Sequence, residues 1–277
     1  MTTTDTPRPP AEPVSAEPVL ASPPSAPSRK VWVVVGSVLA AVSLAWGAAS
    51  IADLVTYSRS RSTTDFPAAD RVVIDTDGSV QLRQGADDRI RVTQRVAEGL
   101  RSPTISERME GSTLRLSGSC PSLGATVCSV DLVVEVPPGT PVTASSGSND
   151  ISATGLTGDL DLSSSAGDVT VERASGRLRL TSDAGVVSAG GLESVVVDAE
   201  SSADDVRLSF SRAPQRVVAT SSAGAVLVVV PRDGTSYRVD ASSDAGTAKV
   251  DVPTNPSAGR HITATSSADD VSVRPVG

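Results

Sequence analysis

Aromatic side chains are scarce in this chain of 277 residues, where Phe, Trp and Tyr together make up 2% of the sequence. Trp32, Trp46 and Tyr57 lie in or beside one hydrophobic segment, which leaves Phe66, Phe210 and Tyr237 for everything else. The core of any folded domain must therefore be built from Val, Leu, Ile and Ala.

Lysine is almost absent, with Lys30 and Lys249 alone, and the formal net charge is −8. We expect no extended basic surface that could neutralise the phosphates of a nucleic acid, which argues against a nucleic-acid partner. Cys120 and Cys128 are the only cysteines, and no further Cys or His lies near them to complete a metal site. We expect a disulfide between them, and no metal or cofactor.

The first thirty residues hold eight of the nineteen prolines and almost no large apolar side chains. They cannot offset their ordering entropy by burial, so we expect a disordered tail over 1–30. From Val31 to Ala52 the chain carries no charge and is long enough, as a helix, to cross a bilayer. We predict a transmembrane helix over 31–55 and a polar linker over 56–66.

The charges beside this segment do not orient it, because Arg29 and Lys30 on one side face Arg59 and Arg61 on the other. A cysteine pair is more useful outside the reducing cytoplasm, and long domains are translocated largely regardless of charge. We therefore expect a single-pass plasma-membrane protein with an extracytoplasmic C-terminal domain. The alternative is a cleaved signal peptide ending at Ser50-Ile51-Ala52.

A six-residue motif recurs through the second half of the chain, and such self-similarity is the mark of a repeat architecture. In every copy, the first Ser and the apolar residue that opens the next strand are five positions apart. The copies are SGSNDI (146–151), SSAGDV (164–169), SDAGVV (182–187), SSADDV (201–206), SSAGAV (221–226), SDAGTA (243–248) and SSADDV (266–271).

Each motif separates two stretches of alternating apolar and polar residues, the pattern of β-strands with one buried face. The first Ser continues the apolar phase of the strand before it, so its side chain should point inward. A small inward residue permits a tight corner, and its hydroxyl can bond backbone groups that have just left the strand. The predicted ladder serines are Ser146, Ser164, Ser182, Ser201, Ser221, Ser243 and Ser266.

A repeat of this length cannot bury its apolar face alone, whereas stacked coils share a continuous core. We therefore predict an all-β fold, a β-solenoid like a parallel β-helix, with regular repeats over 141–277. An antiparallel sandwich is the alternative, but it requires no corner of constant length. A left-handed backbone is expected in the corner at Gly167, Gly185, Gly224, Gly246, Asn149, Asp204 and Asp269.

Residues 67–140 are interpreted as a degenerate first region of the same solenoid. The run from Val72 to Leu82 repeats the order strand, polar corner, strand. Further strands are predicted over Ile90–Gln94, Leu114–Leu116 and Val130–Val136, and the expected Cys120–Cys128 bridge would close a long surface loop between the last two.

The sequence DLVVEVPPG (131–139), followed by repeated turns of the form S-x-x-G-D-[VI], resembles an adhesin-like family of bacterial envelope proteins. The resemblance is close over the repeats and loose over 70–130. It implies a membrane segment with a β-solenoid outer domain, and it supplies no catalytic or ligand-binding residue.

Other polar positions have simpler explanations than a site. Asp150, Asp168, Asp205 and Asp270 share a corner position that suggests calcium, but other copies lack the acid, and ions cannot bridge coils so far apart. His261 is expected to face outward, and no base is apparent that could activate a serine. A second column is expected to face solvent: Ser145, Ser163, Thr181, Glu200, Thr220, Ser242 and Thr265.

The sequence therefore favours a non-enzymatic interaction or structural module at the cell envelope, contacting another envelope protein or a cell-wall polymer. An accessory protein of envelope stress or signalling is the second hypothesis, and a carbohydrate-active β-helix enzyme is the third. The sequence does not indicate the oligomeric state.

Overall fold

The alternating segments form β-strands throughout the C-terminal part of the chain. The computed structural model describes residues 36–44, 46–47, 57–99, 101–121 and 128–277. The strands are β1 (Ser58–Phe66), β2 (Arg71–Thr76), β3 (Val80–Gln84), β4 (Ile90–Glu98), β5 (Thr104–Glu110), β6 (Thr113–Ser119), β7 (Cys128–Val136), β8 (Val142–Ser146), β9 (Ile151–Thr154), β10 (Leu160–Ser164), β11 (Val169–Glu172), β12 (Leu178–Ser182), β13 (Val187–Leu192), β14 (Val196–Ser201), β15 (Val206–Phe210), β16 (Arg216–Ser221), β17 (Val226–Val230), β18 (Arg238–Ser243), β19 (Ala248–Val250), β20 (His261–Ser266) and β21 (Val271–Pro275).

These strands build two sheets whose inner faces share one core. Sheet A has the order β1-β4-β7-β3-β9-β11-β13-β15-β17-β21-β19, and sheet B has the order β18-β20-β16-β14-β12-β10-β8-β2-β6-β5. A coil is one strand of sheet B and the sheet A strand that follows it. Neighbouring coils pair in parallel, for example Leu160 opposite Leu178 and Val169 opposite Val187. The predicted all-β fold of stacked parallel coils is confirmed.

The core consists almost entirely of aliphatic side chains, as the lack of aromatics requires. Leu162, Leu178 and Leu180 of sheet B and Val169 and Val187 of sheet A are fully buried. Because each strand has one buried face, successive coils extend the same apolar column and none could bury it alone.

The coils are not stacked in the order of the sequence. The last coil in the chain, β20–β21, lies between β16–β17 and β18–β19. At the other end, β6–β7 lies outside β2–β3. β18–β19 is therefore the end of the stack. The connections into and out of it, 231–237 and 251–260, are the longest at the variable corner, which gives the chain room to pass over β20–β21.

The N-terminal end of the stack is closed by antiparallel strands. β4 and β1 extend sheet A beyond β7, and β5 extends sheet B beyond β6. The predicted linker over 56–66 was therefore wrong for most of its length, because Ser58–Phe66 is β1 and pairs with β4 along its whole length. Its inward positions are Ser or Thr except for Phe66 at the end of the strand, so hydrophobic alternation did not identify it.

The N-terminal unit, residues 1–47, is described only in part, with residues 36–44 and 46–47 helical. Among the described residues, no helix has the length and apolar character needed to cross a bilayer. The predicted tail over 1–30 and most of the predicted transmembrane segment over 31–55 lie outside the described residues.

Tyr237 is the largest fully buried side chain in the described core, just before β18. Its backbone N–H donates to Pro253 O at 3.0 Å, and its carbonyl accepts from Asn255 N at 2.9 Å. Among the described residues, its hydroxyl is buried without a hydrogen-bond partner. Burial raises the pKa of this hydroxyl from 10.0 to about 12.

Replacing Tyr237 with Phe should raise the free energy of unfolding by about 1 kcal/mol at neutral pH, because the variant buries no unpaired hydroxyl. The folded state also holds the Tyr237 proton more tightly than the unfolded chain does. The free energy of unfolding of the wild type should therefore fall as the pH rises from 10.0, the pKa of tyrosine in the unfolded chain, towards about 12. Urea denaturation of both proteins across this range tests the idea, and an identical alkaline slope in Tyr237→Phe would contradict it.

Candidate functional site

The ladder serines close the sheet B strand of each repeat coil and point into the core. Ser182 and Ser201 are completely buried, and Ser146, Ser164, Ser221 and Ser266 are nearly so. Ser243 is only half-buried because its coil is the last in the stack. Each serine stands opposite the serines of the neighbouring coils in the parallel register, as Ser164 does with Ser146 and Ser182.

Each ladder serine makes the same two hydrogen bonds. Gly185 N donates to Ser182 Oγ at 2.8 Å, and this Oγ donates to Gly167 O in the neighbouring coil at 2.9 Å. Gly167 N in turn donates to Ser164 Oγ at 2.9 Å. The bonds therefore run as one continuous line across the coils. Equivalent pairs are made by Ser146, Ser164, Ser201, Ser221, Ser243 and Ser266.

The line continues into the first region through Thr76, which sequence reasoning did not single out. Thr76 stands opposite Ser146 and is 3% exposed. Its Oγ1 accepts Gly78 N at 3.1 Å and donates to Val130 O at 3.4 Å. The signal was in the sequence, because Thr76 follows Val72 and Ile74 in the inward phase as each ladder Ser follows its strand.

The prediction of a left-handed backbone at the fixed corner was wrong. Among the described residues, Arg173 is the single non-glycine with positive φ, and the glycines with positive φ lie outside the fixed corner. The corner glycines are required by close approach of the neighbouring coil instead. A Cβ on Gly185 would lie 2.4 Å from Gly167 O, and one on Gly224 would lie 2.3 Å from the carbonyl carbon of Asp204.

The corner aspartates hold backbone groups of the adjacent coil. Asp168 Oδ1 accepts the backbone N–H of Val186 at 2.8 Å. In the same way, Asp150, Asp205 and Asp270 accept the backbone N–H groups of Asp168, Ala225 and Thr247, respectively. Two bonds from Thr247, from its N–H and its hydroxyl, hold the pKa of Asp270 below its ordinary value.

The motifs SSAGDV and SSADDV supply different acceptors for the backbone N–H of the corner aspartate. Asp205 and Asp270 stack on coils that carry Val186 and Ala225 at this position and so offer no carboxylate. Their N–H groups bond instead to Oδ1 of the preceding Asp204 and Asp269, at 2.8 and 2.6 Å. This explains why SSADDV replaces SSAGDV in these copies. Within the described ranges, no three His, Cys, Asp or Glu side chains are grouped as metal ligands.

The second column lies on the outer face of sheet B. Ser145, Ser163 and Thr181 stand in register, followed across the sheet by Glu200, Thr220, Thr265 and Ser242. These side chains are half-buried or exposed. Thr265 Oγ1 donates to Thr220 Oγ1 at 3.3 Å, so part of the column is linked by side-chain bonds.

His261 also lies on this face, at the start of β20. Its Nε2 is 2.6 Å from Asp240 Oδ2, and its Nδ1 is 3.0 Å from a guanidinium nitrogen of Arg238. Both partners belong to the terminal strand β18, so the contact joins the last two strands of sheet B.

Cys120 and Cys128 are joined by a disulfide of 2.02 Å in the outermost parallel coil. β6 ends at Ser119 and β7 begins at Cys128, so the bridge closes the corner of this coil where the repeats have the serine motif. Residues 122–127 of the loop lie outside the described residues.

The repeat region matches a known family. Residues 140–274 match the model of the Toastrack DUF4097 family, just under half of the chain. No curated protein matches the sequence.

Several solved structures are similar to this chain. One is a proposed adhesin from Bacteroides fragilis, at 14% identity and TM-score 0.47, covering 79% of this chain and 98% of that one. Another from Parabacteroides merdae has 16% identity and TM-score 0.44, covering 78% and 96%. A proposed cell adhesion protein from Clostridium sporogenes has 10% identity and TM-score 0.41, covering 79% and 100%. Likeness at this level assigns no function, and the family match shows that residues 140–274 are similar to the Toastrack DUF4097 family.

Proposed function

We propose that this protein is a non-enzymatic, adhesin-like module, anchored in the plasma membrane by the segment 31–55 and displaying its solenoid outside the cytoplasm. Its partner in this proposal is a cell-wall polymer, bound on the outer face of sheet B. An envelope protein is the alternative partner.

The observation that carries the proposal is the register of the outer column. Ser145, Ser163 and Thr181 stand on adjacent parallel strands, which repeat about every 4.8 Å. A polymer presents its own hydroxyl and amide groups at regular intervals, so a straight row of small hydroxyls can bond several of its units at once. Small side chains also lose little conformational entropy when they bind.

The buried ladder supports this role because it makes the surface rigid. Each corner is bonded to the next coil through a serine Oγ, so the outer positions are fixed relative to one another before any ligand arrives. A preorganised surface binds with a smaller entropy cost than one that must be ordered on contact.

The proposal predicts that Thr181→Arg together with Thr220→Arg weakens binding to purified, insoluble cell-wall sacculi. The two positions flank Glu200 on the outer face, and bulky charged side chains there would hold a polymer away from the sheet. The full chain in neutral detergent is co-sedimented with the sacculi, and we expect at least about a tenfold loss of affinity, equivalent to 1.4 kcal/mol.

The matched control is Ser152→Arg with Ser188→Arg, on the outer face of sheet A. Equal loss in both double variants, or no sedimentation of the wild type, would overturn the polymer role. The anchoring is tested separately by adding protease to intact cells. The anchoring proposal fails if the repeat region is cleaved only after lysis.

A further inference from the structure

Three arginines surround an open groove at the closed end of the solenoid. The groove has a volume of 640 Å³ and is lined by Tyr57, Arg59, Arg61, Arg95, Ser129 and Asp131, among others. These residues come from β1, β4 and β7 and from Tyr57 just before β1. A concentration of positive charge is unusual in a chain with a net charge of −8.

The pairing of the strands places two of these charges face to face. Arg61 is opposite Arg95 in the antiparallel register of β1 and β4. Like charges directly opposite each other destabilise a sheet. In the described part of the chain, neither arginine forms an ion pair within 4 Å or a side-chain hydrogen bond.

One carboxylate, that of Asp131, lies in the same row as Arg61 and Arg95. Asp131 stands opposite Arg95, but its Oδ1 accepts the backbone N–H and the hydroxyl of Ser79, at 3.2 and 2.8 Å. Arg59 lies over the Tyr57 ring, 5.1 Å from its centroid. Three guanidinium groups therefore share the groove with one carboxylate, which leaves its lining with a net positive charge.

Another set of residues paired across β1, β4 and β7 has its arginine matched by carboxylates. Arg91 stands between Asp65 and Glu135 and forms ion pairs with both, at 2.9 and 3.5 Å. The same three strands thus place a carboxylate on each side of Arg91, whereas Arg61 and Arg95 share Asp131 alone and form no ion pair with it. An anionic ligand at Arg61 and Arg95 would supply the counter-charge that Arg91 receives from its two carboxylates.

We propose that the groove binds the phosphate of an anionic lipid headgroup, with Arg61 and Arg95 as its ligands. Guanidinium groups bind phosphate oxygens in pairs of charge-assisted hydrogen bonds. The lipid source follows from the anchoring proposed above, on which this inference rests. Tyr57 comes two positions after the predicted membrane segment, so about 7 Å of chain at most separates them.

The test uses the full chain in neutral detergent, titrated calorimetrically with dihexanoyl phosphatidylglycerol, dihexanoyl phosphatidylcholine and inorganic phosphate. We expect phosphatidylglycerol to bind about tenfold more tightly than the other two. The double variant Arg61→Gln with Arg95→Gln should lose about tenfold in this affinity, while Arg91→Gln stays within about twofold of the wild type.

Thermal unfolding without ligand gives a second readout. Arg61→Gln should raise the midpoint by about 1–3 °C, because it removes a like-charge contact, whereas Arg91→Gln should lower it by losing two ion pairs. A fall in the midpoint for Arg61→Gln would mean that the arginine is structural, and would overturn the proposal.

The remaining outcomes are also decisive. Equal binding of inorganic phosphate and phosphatidylglycerol would overturn the lipid assignment, and no binding of either, or equal loss in Arg91→Gln, would overturn the phosphate site. Sedimentation with sacculi should be unchanged by the double arginine variant. This inference and the polymer role can therefore fail separately.

Discussion

Replacement of Gly78 with Ala should destabilise the solenoid by about 3 kcal/mol or more, because the new methyl group meets backbone that cannot move aside. A Cβ at this position would lie 1.9 Å from Val130 O and 2.6 Å from the carbonyl carbon of Val130. Gly78 is held on both sides, since its N–H donates to Thr76 Oγ1 and its carbonyl accepts Ser146 Oγ at 3.0 Å. The measurement is urea denaturation of the full chain in neutral detergent.

The matched control is Gly259→Ala, in the connection before β20. No atom lies within 4 Å of a Cβ at Gly259, and its φ is not in the left-handed region. We expect this variant to stay within about 0.5 kcal/mol of the wild type. If Gly78→Ala unfolds at the same urea concentration as the control, the coils are not packed backbone to backbone at this corner.

The ladder and the alternating strands could be predicted from the sequence because both are local patterns. A serine in the inward phase of a strand, at a fixed distance from the next inward residue, leaves little choice about where its side chain points. The outward column follows by the same alternation, one residue earlier.

The order of the coils could not be predicted in this way. Ser243 and Ser266 head equivalent motifs, and each could stack on the coil of Ser221 with the same parallel register. The structure pairs Ser221 with Ser266 and leaves Ser243 at the end. Choosing between these arrangements depends on how the long corners pass the core and on the burial of Tyr237, neither of which is a local property.

The arginine groove was missed because its sequence signal belongs to three strands far apart in the chain. Arg61 was considered only as a charge beside the hydrophobic segment, Arg95 lies just beyond the predicted strand Ile90–Gln94, and β1 itself was expected to be a linker. Only the antiparallel register brings them together, with Asp131 as the single carboxylate in their row.

Replacement of Ser182 with Ala should cost about 2–3 kcal/mol, a large effect for the loss of one oxygen atom. The side chain is completely buried, and its Oγ serves two backbone groups. Without it, the N–H of Gly185 and the carbonyl of Gly167 lose a partner within the core, where water cannot replace it. An unpaired buried group costs its full desolvation, which exceeds the net value of an ordinary hydrogen bond.

Ser163→Ala is the matched control for this variant, because the same atom is removed from the outer face of sheet B. Ser163 is only half-buried and water can reach it, so the change should be within about 0.5 kcal/mol. Both variants keep the same strand register, and urea denaturation of the full chain compares them directly. Equal midpoints for Ser182→Ala and the wild type would mean that the hydroxyls fill space without joining the coils. The rigidity that the proposed polymer-binding surface requires would then need another source.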